Sequence, residues 1–384
     1  MLYENYQSPW LDEELRILRD ASGRFFNQEF APNYQNWIDQ GKVDRDAWRQ
    51  AGEAGLLCAA IPSEYGGGGG DFRHETVIME EMMRAGVGGF GNQVHSTIVA
   101  PYILHYGSEE QKRRWLPKMA SGEMVGAIAM TEPDTGSDLQ NITSTAIRDG
   151  DDYIVKGAKT YITNGQHADL VIVVAKTDPG KGAKGISLIV VEADTQGFER
   201  GRNLKKLGQK AADTSELFFD ECRVPVANRL GETEGQGFGQ LMQQLPQERL
   251  TIAQAAITEA ERAIELTVDF VSDRKAFGQR VLDFQNTRFK LAECKTEALI
   301  GRTFVDQCVI KLVNGELDAS TASMAKYWCT QKQCEIIDEC LQLHGGAGYM
   351  DEYEISRLYA DARVQKIYGG TNEIMKELIG RTLG

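Results

Sequence analysis

Along the first third of the chain, apolar residues recur at helical spacing. Leu11, Leu15 and Leu18 repeat at intervals of four and three, and Ser8 and Asp12 are suited to start that helix. Pro62 and the run from Gly66 to Gly70 then break the pattern. The run lacks the Lys-Ser/Thr ending of a phosphate-binding loop, and no apolar strand precedes it, so it reads as a flexible turn. Helical patterning resumes from Thr76 to Met83 and from His95 to Tyr106, and Ser108-Glu109-Glu110-Gln111 marks a new start.

From about residue 121 to 230 the period shortens to that of strands. Tyr153-Ile154-Val155, Lys159 to Ile162, Leu170 to Val174, Ile186 to Val191 and Leu217-Phe218-Phe219 are rich in β-branched or aromatic residues. Asp149-Gly150-Asp151, Asn164-Gly165 and Pro179-Gly180 separate them. Helices do not alternate with these strands, which argues against a nucleotide-binding parallel sheet. Beyond about 235, Leu250, Ala253, Ile257, Ala260, Ile264, Thr267 and Val271 return to spacings of three and four. Asn286 to Val313 and Ala319 to Leu343 continue as long amphipathic stretches, which predicts a helical bundle. The expected organisation is therefore α+β and multidomain: an N-terminal helical domain over 1–120, a middle β domain over 121–234 and a helical bundle over 235–384.

At roughly 150 residues per domain, 384 residues suit two or three such units. Lys+Arg number 42 against 56 Asp+Glu, a net charge of −14, which disfavours nucleic acid and anionic membrane surfaces as partners. No stretch approaches the roughly 20 apolar residues of an integral membrane segment. The chain opens MLYENYQSPW, without a charged-then-apolar signal, and its seven cysteines are an odd number. Reduced thiols in an intracellular compartment are expected: the cytoplasm in a bacterium, or the mitochondrial matrix after processing in a eukaryote. Cys329, Cys334, Cys340 and His344 follow helical spacing rather than the short pairs of a zinc site, so no metal is expected. His95 and His344 have no nucleophile or ligand at useful spacing and read as structural.

Candidate chemistry begins at Met130-Thr131-Glu132-Pro133-Asp134-Thr135-Gly136-Ser137-Asp138, between the first helices and the strands. A turn on Pro133 and Gly136 leaves backbone N–H groups and the Thr131 and Ser137 hydroxyls free for one ligand, while a plain surface loop is the alternative. Together with Tyr161-Ile162-Thr163-Asn164-Gly165, Arg274-Lys275-Ala276-Phe277-Gly278 and Tyr368-Gly369-Gly370-Thr371, this segment resembles the ordered motifs of the acyl-CoA dehydrogenase family. Leu245-Pro246-Gln247-Glu248-Arg249-Leu250, Met324 to Trp328 and Gly369 to Leu378 are most similar to its long-chain branch.

The resemblance implies a middle β-barrel or sandwich and a C-terminal four-helix bundle. It also implies bound FAD, and homotetramers in which each flavin touches two subunits. Met130, Thr131, Gly136, Ser137, Tyr161 and Thr163 would line the flavin from one subunit, with Thr163 near the reactive N5. Arg274, Phe277, Gln285, Gln342 and Gly346 would reach it from the neighbour, and Thr371 and Glu373 would make contacts at the last motif. Many members carry a Glu directly after the tyrosine of that motif, where this chain has Gly369. Members with glycine there use a glutamate on the first long bundle helix, matched by Glu248. Taken alone, Glu248 also reads as an acid placed in a first helical turn by the macrodipole.

By the same resemblance, Glu248 removes the α-proton of a fatty acyl-CoA while hydride leaves the β-carbon for the flavin, giving a trans-2-enoyl product. The Gly369 N–H would bind the thioester oxygen. Arg249, and Ser137 with it, would face the substrate, Arg249 holding the CoA portion, orienting Glu248 or simply forming a salt bridge. Medium, long or branched chains are expected, isoprenoid thioesters included, with electrons passing to electron-transfer flavoprotein. An acyl-CoA oxidase, a flavin monooxygenase and a non-catalytic flavin- or acyl-CoA-binding protein are the alternatives.

Overall fold

Asp12 accepts a hydrogen bond from the Leu15 N–H, and helix α1 (Glu13–Phe25) starts at that cap. The computed structural model describes residues 2, 3 and 5–384. After α1 come α2 (Tyr34–Gln40), α3 (Arg45–Glu53) and α4 (Phe72–Arg84). A short α5 (Asn92–Val94) runs through a widened turn, His95–Val99, into α6 (Ala100–Tyr106), and α7 is Glu109–Ala120. Ser108 and Gln111 close a reciprocal capping box at the start of α7.

The five-glycine run is a turn, but not the loose one that composition suggests. Each of its N–H groups donates to a backbone carbonyl, Gly68 to Cys58 and Gly70 to Ala59 among them. Close packing explains the glycines, because a Cβ on Gly67 would stand 2.3 Å from the Ile61 carbonyl oxygen.

Strands β1 (Gly126–Ala129), β2 (Thr145–Asp149), β3 (Asp152–Thr163), β4 (Leu170–Lys176), β5 (Ile186–Glu192), β6 (Phe198–Asn203), β7 (Thr214–Pro225) and β8 (Arg229–Leu230) form one sheet. Its order is β6-β7-β3-β2-β4-β5-β8, with β1 also paired to β4. The β1–β4 and β2–β4 pairs are parallel and the others antiparallel. β4 and β5 are continuous apolar runs because both faces are buried. Leu170, Ile172 and Val174 pack with Tyr102 and Trp115 of the helical block, while Val171 and Val173 join Tyr153, Leu217 and Phe219 inside the folded sheet. His95 ties the blocks together, accepting from the Gly126 N–H through Nδ1 and donating from Nε2 to the Met119 carbonyl, both at 3.0 Å.

The last block contains α8 (Gly237–Asp273), a two-stranded hairpin of β9 (Lys275–Ala276) and β10 (Gln279–Arg280), then α9 (Gln285–Val313), α10 (Ala319–His344), α11 (Glu354–Ala362) and α12 (Asn372–Gly380). The three long helices pack side by side, and α11 and α12 close against α10. One expectation is corrected here. α8 begins at Gly237, nine residues before Pro246, so Glu248 is not in a first turn and the macrodipole does not account for it.

Arg302 of α9 locks the bundle to the first block. It is buried and donates to Glu80 of α4 at 2.6 Å and to both Glu261 oxygens of α8 at 2.9 and 2.7 Å. Although burial opposes ionisation, the Arg302, Arg84 and Arg19 charges hold Glu80 below the usual carboxylate range. Removing the cation would leave buried carboxylates unpaired, a loss of about 3–5 kcal/mol. Arg302→Met is expected to lower the guanidinium unfolding midpoint accordingly, and a loss under about 1 kcal/mol would contradict this role.

Candidate active site

A cavity of about 570 Å³ opens where the three blocks meet. The β domain supplies one wall. Met130, Thr131, Gly136, Ser137, Tyr161 and Thr163 all line it. Thr131 is fixed by Thr160: its carbonyl accepts from the Thr160 N–H at 3.0 Å, and its hydroxyl donates to the Thr160 carbonyl.

Beneath the wall lies a buried ion pair. Lys159 Nζ donates to Glu132 at 2.9 Å and to the Met130 and Val174 carbonyls at 3.0 and 2.7 Å. Glu132 also accepts from the Thr143 N–H at 2.6 Å and the Ser144 N–H at 2.9 Å. Burial opposes its charge, yet Lys159 and these donors hold Glu132 down to about 2. The pair therefore fixes the Thr131 turn, and Glu132 is spent structurally rather than offered to a ligand.

Tyr161 is presented by a bulge. Lys159 pairs with Leu217 and Ile162 with Ser215, so two residues of β3 oppose one of β7. Tyr161 takes up φ +60°, uncommon for an aromatic residue, and its ring is 69% exposed on the cavity wall.

The opposite wall is α8 with the turn before α12. Glu248, Arg249, Thr251 and Ile252 line it together with Gly369 and Gly370. Glu248 is 5% exposed and accepts from the Tyr102 hydroxyl at 2.8 Å. Burial pushes its carboxyl up to about 7, against the Tyr102 hydrogen bond and the Arg249 charge. Arg249 is buried too, but its Nη1 donates to Ser323 at 3.3 Å, and its Nε has no acceptor among the described residues. It forms no ion pair with Glu248.

Gly369 has φ +64°, and a Cβ there would stand 2.3 Å from Ile252 Cδ1, one helical turn beyond Glu248. The space a side chain would need is filled from the helix that bears the carboxyl. Lys326 of α10 anchors the same turn, donating to the Gly370 carbonyl at 2.8 Å and to Asn372 at 3.0 Å.

The remaining sequence candidates lie outside the cavity lining. Arg274 caps the end of α8 just before the β9–β10 hairpin, and Phe277 is in the hairpin's turn at φ +50° and 97% exposed. Gln285 begins α9, and Gln342 and Gly346 are exposed near the end of α10. Thr371 caps α12 by accepting from the Ile374 N–H at 3.3 Å, and Glu373 is exposed in the first turn of that helix. Sequence reasoning missed Tyr102, Lys159 and Lys326 as supports, and Glu259 and Gln365 as lining residues. The Tyr102–Glu248 bond spans 146 residues, which no local pattern signals.

Three family models match the chain: acyl-CoA dehydrogenase N-terminal domain over residues 12–123, middle domain over 127–222 and C-terminal domain over 235–384. The chain is 48% identical over 369 residues to the mitochondrial long-chain specific acyl-CoA dehydrogenase of Sus scrofa, covering 96% of this chain and 86% of that protein. An acyl-CoA dehydrogenase structure from Geobacillus kaustophilus superposes with a TM-score of 0.96 at 49% identity, over 98% of this chain and all of the other. A glutaryl-CoA dehydrogenase from Mycobacterium smegmatis, in complex with FADH2, gives 0.90 at 30% identity over 97% and 95%.

A carboxyl raised from 4.5 to about 7 by folding carries a stability cost once ionised. Below the unfolded value both states are protonated and the cost is absent; it grows between the two values and is complete above about 7. Glu248→Gln is therefore expected to gain stability over wild type as pH rises from 4 to 8, by about 3 kcal/mol at the upper end. Urea unfolding at both pH values checks this, and a difference that is flat in pH would contradict the burial of an ionisable group.

Proposed function

The chain belongs to the acyl-CoA dehydrogenase family, and we propose that it oxidises long-chain fatty acyl-CoA to the trans-2-enoyl thioester with FAD as cofactor and Glu248 as base. The observation that carries this reading is Glu248 itself: a carboxyl buried in the cavity wall, tuned near neutrality and standing beside a glycine where a competing base would be. A general base works best with a pKa near the operating pH.

The cavity's donor set fits the cofactor. Ser137, Thr131, whose hydroxyl proton goes to the Thr160 carbonyl and whose oxygen can still accept, and the exposed Tyr161 line one wall, suited to a flat, polar-edged heterocycle. When bound, FAD supplies the hydride acceptor. Met130, Thr131, Gly136, Ser137, Tyr161 and Thr163 are the residues we assign to holding it from this chain.

Glu248 accepts the substrate's α-proton, and the Tyr102 hydroxyl steadies the ionised carboxylate beforehand. The Gly369 N–H donates to no group among the described residues and is assigned to the thioester oxygen, where a preorganised donor is worth roughly 2.7–4 kcal/mol. Arg249 and Ser137 are assigned to the substrate side. The unused Arg249 Nε supports this for the arginine. Small residues along the cavity, Gly88 and Gly89 among them, support a long chain.

Assembly with further copies is part of the proposal. The almost fully exposed Phe277 on a strained hairpin, and Tyr349 at 84% exposure, support a homotetramer in which Arg274, Phe277, Gln285, Gln342 and Gly346 serve a neighbour's cofactor. Thr371 and Glu373 are assigned to the cofactor only through that assembly. Electron-transfer flavoprotein is the proposed electron acceptor. Seven free thiols support a reducing compartment, and no helix among the described residues is long and apolar enough to cross a membrane.

Glu248→Gln should retain FAD yet lose anaerobic bleaching by hexadecanoyl-CoA by about a thousandfold. Bleaching at the wild-type rate would overturn the base assignment. In the wild type, the bleaching rate should rise with pH through about 7, because only the ionised carboxylate accepts the proton. Tyr102→Phe removes a donor that favours the ionised form, so the rising limb should move up by about one unit. A limb that stays in place or moves down would contradict the role of Tyr102.

A further inference from the structure

The cavity runs on past the reacting position. Its lining takes in Glu248 to Ile252 of α8 and, eleven residues beyond Glu248 on the same helix, Glu259. Eleven residues make three helical turns, so the two carboxyls share one helix face about 16 Å apart along the axis. Gly88 and Gly89 line the far end, and Glu259 Oε1 lies 3.4 Å from where a Cβ on Gly88 would stand.

A hydrocarbon chain ends in a methyl group, and a cavity shaped only for that would end in apolar side chains. Here the lining around Gly88 holds an acid, Glu259, and an amide, Gln365, as well as Met83 and Phe90. Glu259 is 5% exposed and forms no salt bridge among the described residues. The Nε2 groups of Gln333 and Gln365 both donate to its Oε2, Gln365 at 2.9 Å. The charges acting on it, Asp361 and Glu354, are themselves acidic, and Glu354 is already paired with Arg262 at 2.9 Å. Burial, then the Asp361 charge, push the Glu259 carboxyl up to about 8 against the Gln333 hydrogen bond, so it carries its proton at neutral pH.

Gln365 completes the pattern. It lines the cavity, is 1% exposed, spends its Nε2 on Glu259 and leaves Oε1 without a donor among the described residues. The lining thus offers a carboxyl able to donate an O–H and, on the amide bonded to it, a carbonyl oxygen without a donor among the described residues. A hydroxyl group, which accepts one hydrogen bond and donates another, complements both. A carboxylate would find no cation paired with Glu259 among the described residues, and a methyl would leave Gln365 Oε1 unpaired.

Resting on the acyl-CoA reading above, we infer that the favoured substrates are acyl thioesters whose chain ends in an uncharged hydroxyl, which accepts from Glu259 and donates to Gln365 Oε1. With carbon–carbon bonds of about 1.5 Å, an extended chain advances about 1.25 Å per carbon, so the hydroxyl belongs about a dozen carbons beyond the reacting pair. A site built to hydrogen-bond a substrate hydroxyl discriminates strongly against the analogue lacking it.

The test uses the FAD-loaded Glu248→Gln protein, which binds without turning over. It is titrated calorimetrically with tetradecanoyl-CoA, hexadecanoyl-CoA and their ω-hydroxy derivatives. At one of the two lengths the alcohol should bind at least tenfold more tightly than the plain chain, and Glu259→Leu in the same background should reduce that preference to less than twofold. Glu259→Gln, which keeps a hydrogen-bonding group, should retain part of it. Equal or weaker binding of both alcohols overturns the inference. The kcat/KM ratio of alcohol to plain chain in the wild-type enzyme decides the same point without any variant. Bleaching by plain chains with no preference for the hydroxyl defeats this inference alone, whereas bleaching by none of the four thioesters defeats the dehydrogenase reading and this one with it.

Discussion

A carboxyl buried without a cation is costly when ionised, and the architecture around Glu248 follows from how that cost is handled. A paired carboxylate, like Glu132 on Lys159, is held down to about 2 and is useless as a base at neutral pH. Glu248 receives one neutral donor, the Tyr102 hydroxyl, and only the more distant charge of Arg249, whose hydrogen bond goes to Ser323. Burial therefore dominates, and the group stays near neutrality, where proton transfer in either direction is easy. The same physics at Glu259, with two amide donors and acidic neighbours, pushes a carboxyl up to about 8.

Rigidity at the site comes from elements that never touch its chemistry. The Lys159–Glu132 pair fixes the Thr131 turn from beneath, the β3 bulge pushes Tyr161 out onto the wall, and Lys326 holds the Gly369–Gly370 turn against α10. Arg302 binds α4, α8 and α9 into one unit, so the α8 face bearing Glu248 and the Gly88–Gly89 segment after α4 are held in one register. Preorganised supports of this kind let donors act without reorganising during the reaction.

Much of this was legible along the chain, and the losses have identifiable causes. The strand runs from Leu170 and Ile186 read correctly because their apolar patterning is local and strong, and Ser108 marks a real helix cap. Pro246, a plausible first-turn residue, suggests a late start for α8 but lies in the helix interior. The glycine run reads as loose from composition because its bonds to Cys58 and Ala59 are tertiary facts of that turn, not properties of glycine. Motif resemblance points to Gly369 and Glu248, and both line the cavity. It does not reach Tyr102, Gln365 or Glu259, since their meeting depends on helices whose contacts span some hundred residues or more, as Gln365 to Glu259 and Tyr102 to Glu248 do at 106 and 146.

The most direct test of Glu248 as the proton acceptor separates proton removal from oxidation. A 3-thia-acyl-CoA carries sulfur at the β-position and cannot lose hydride there, but its α-protons remain exchangeable. Incubated with the FAD-loaded enzyme in deuterium oxide and followed by mass spectrometry, it should take up deuterium at the α-carbon with wild type and take up essentially none with Glu248→Gln that still holds its flavin. Equal uptake by both proteins would mean that another group takes the proton.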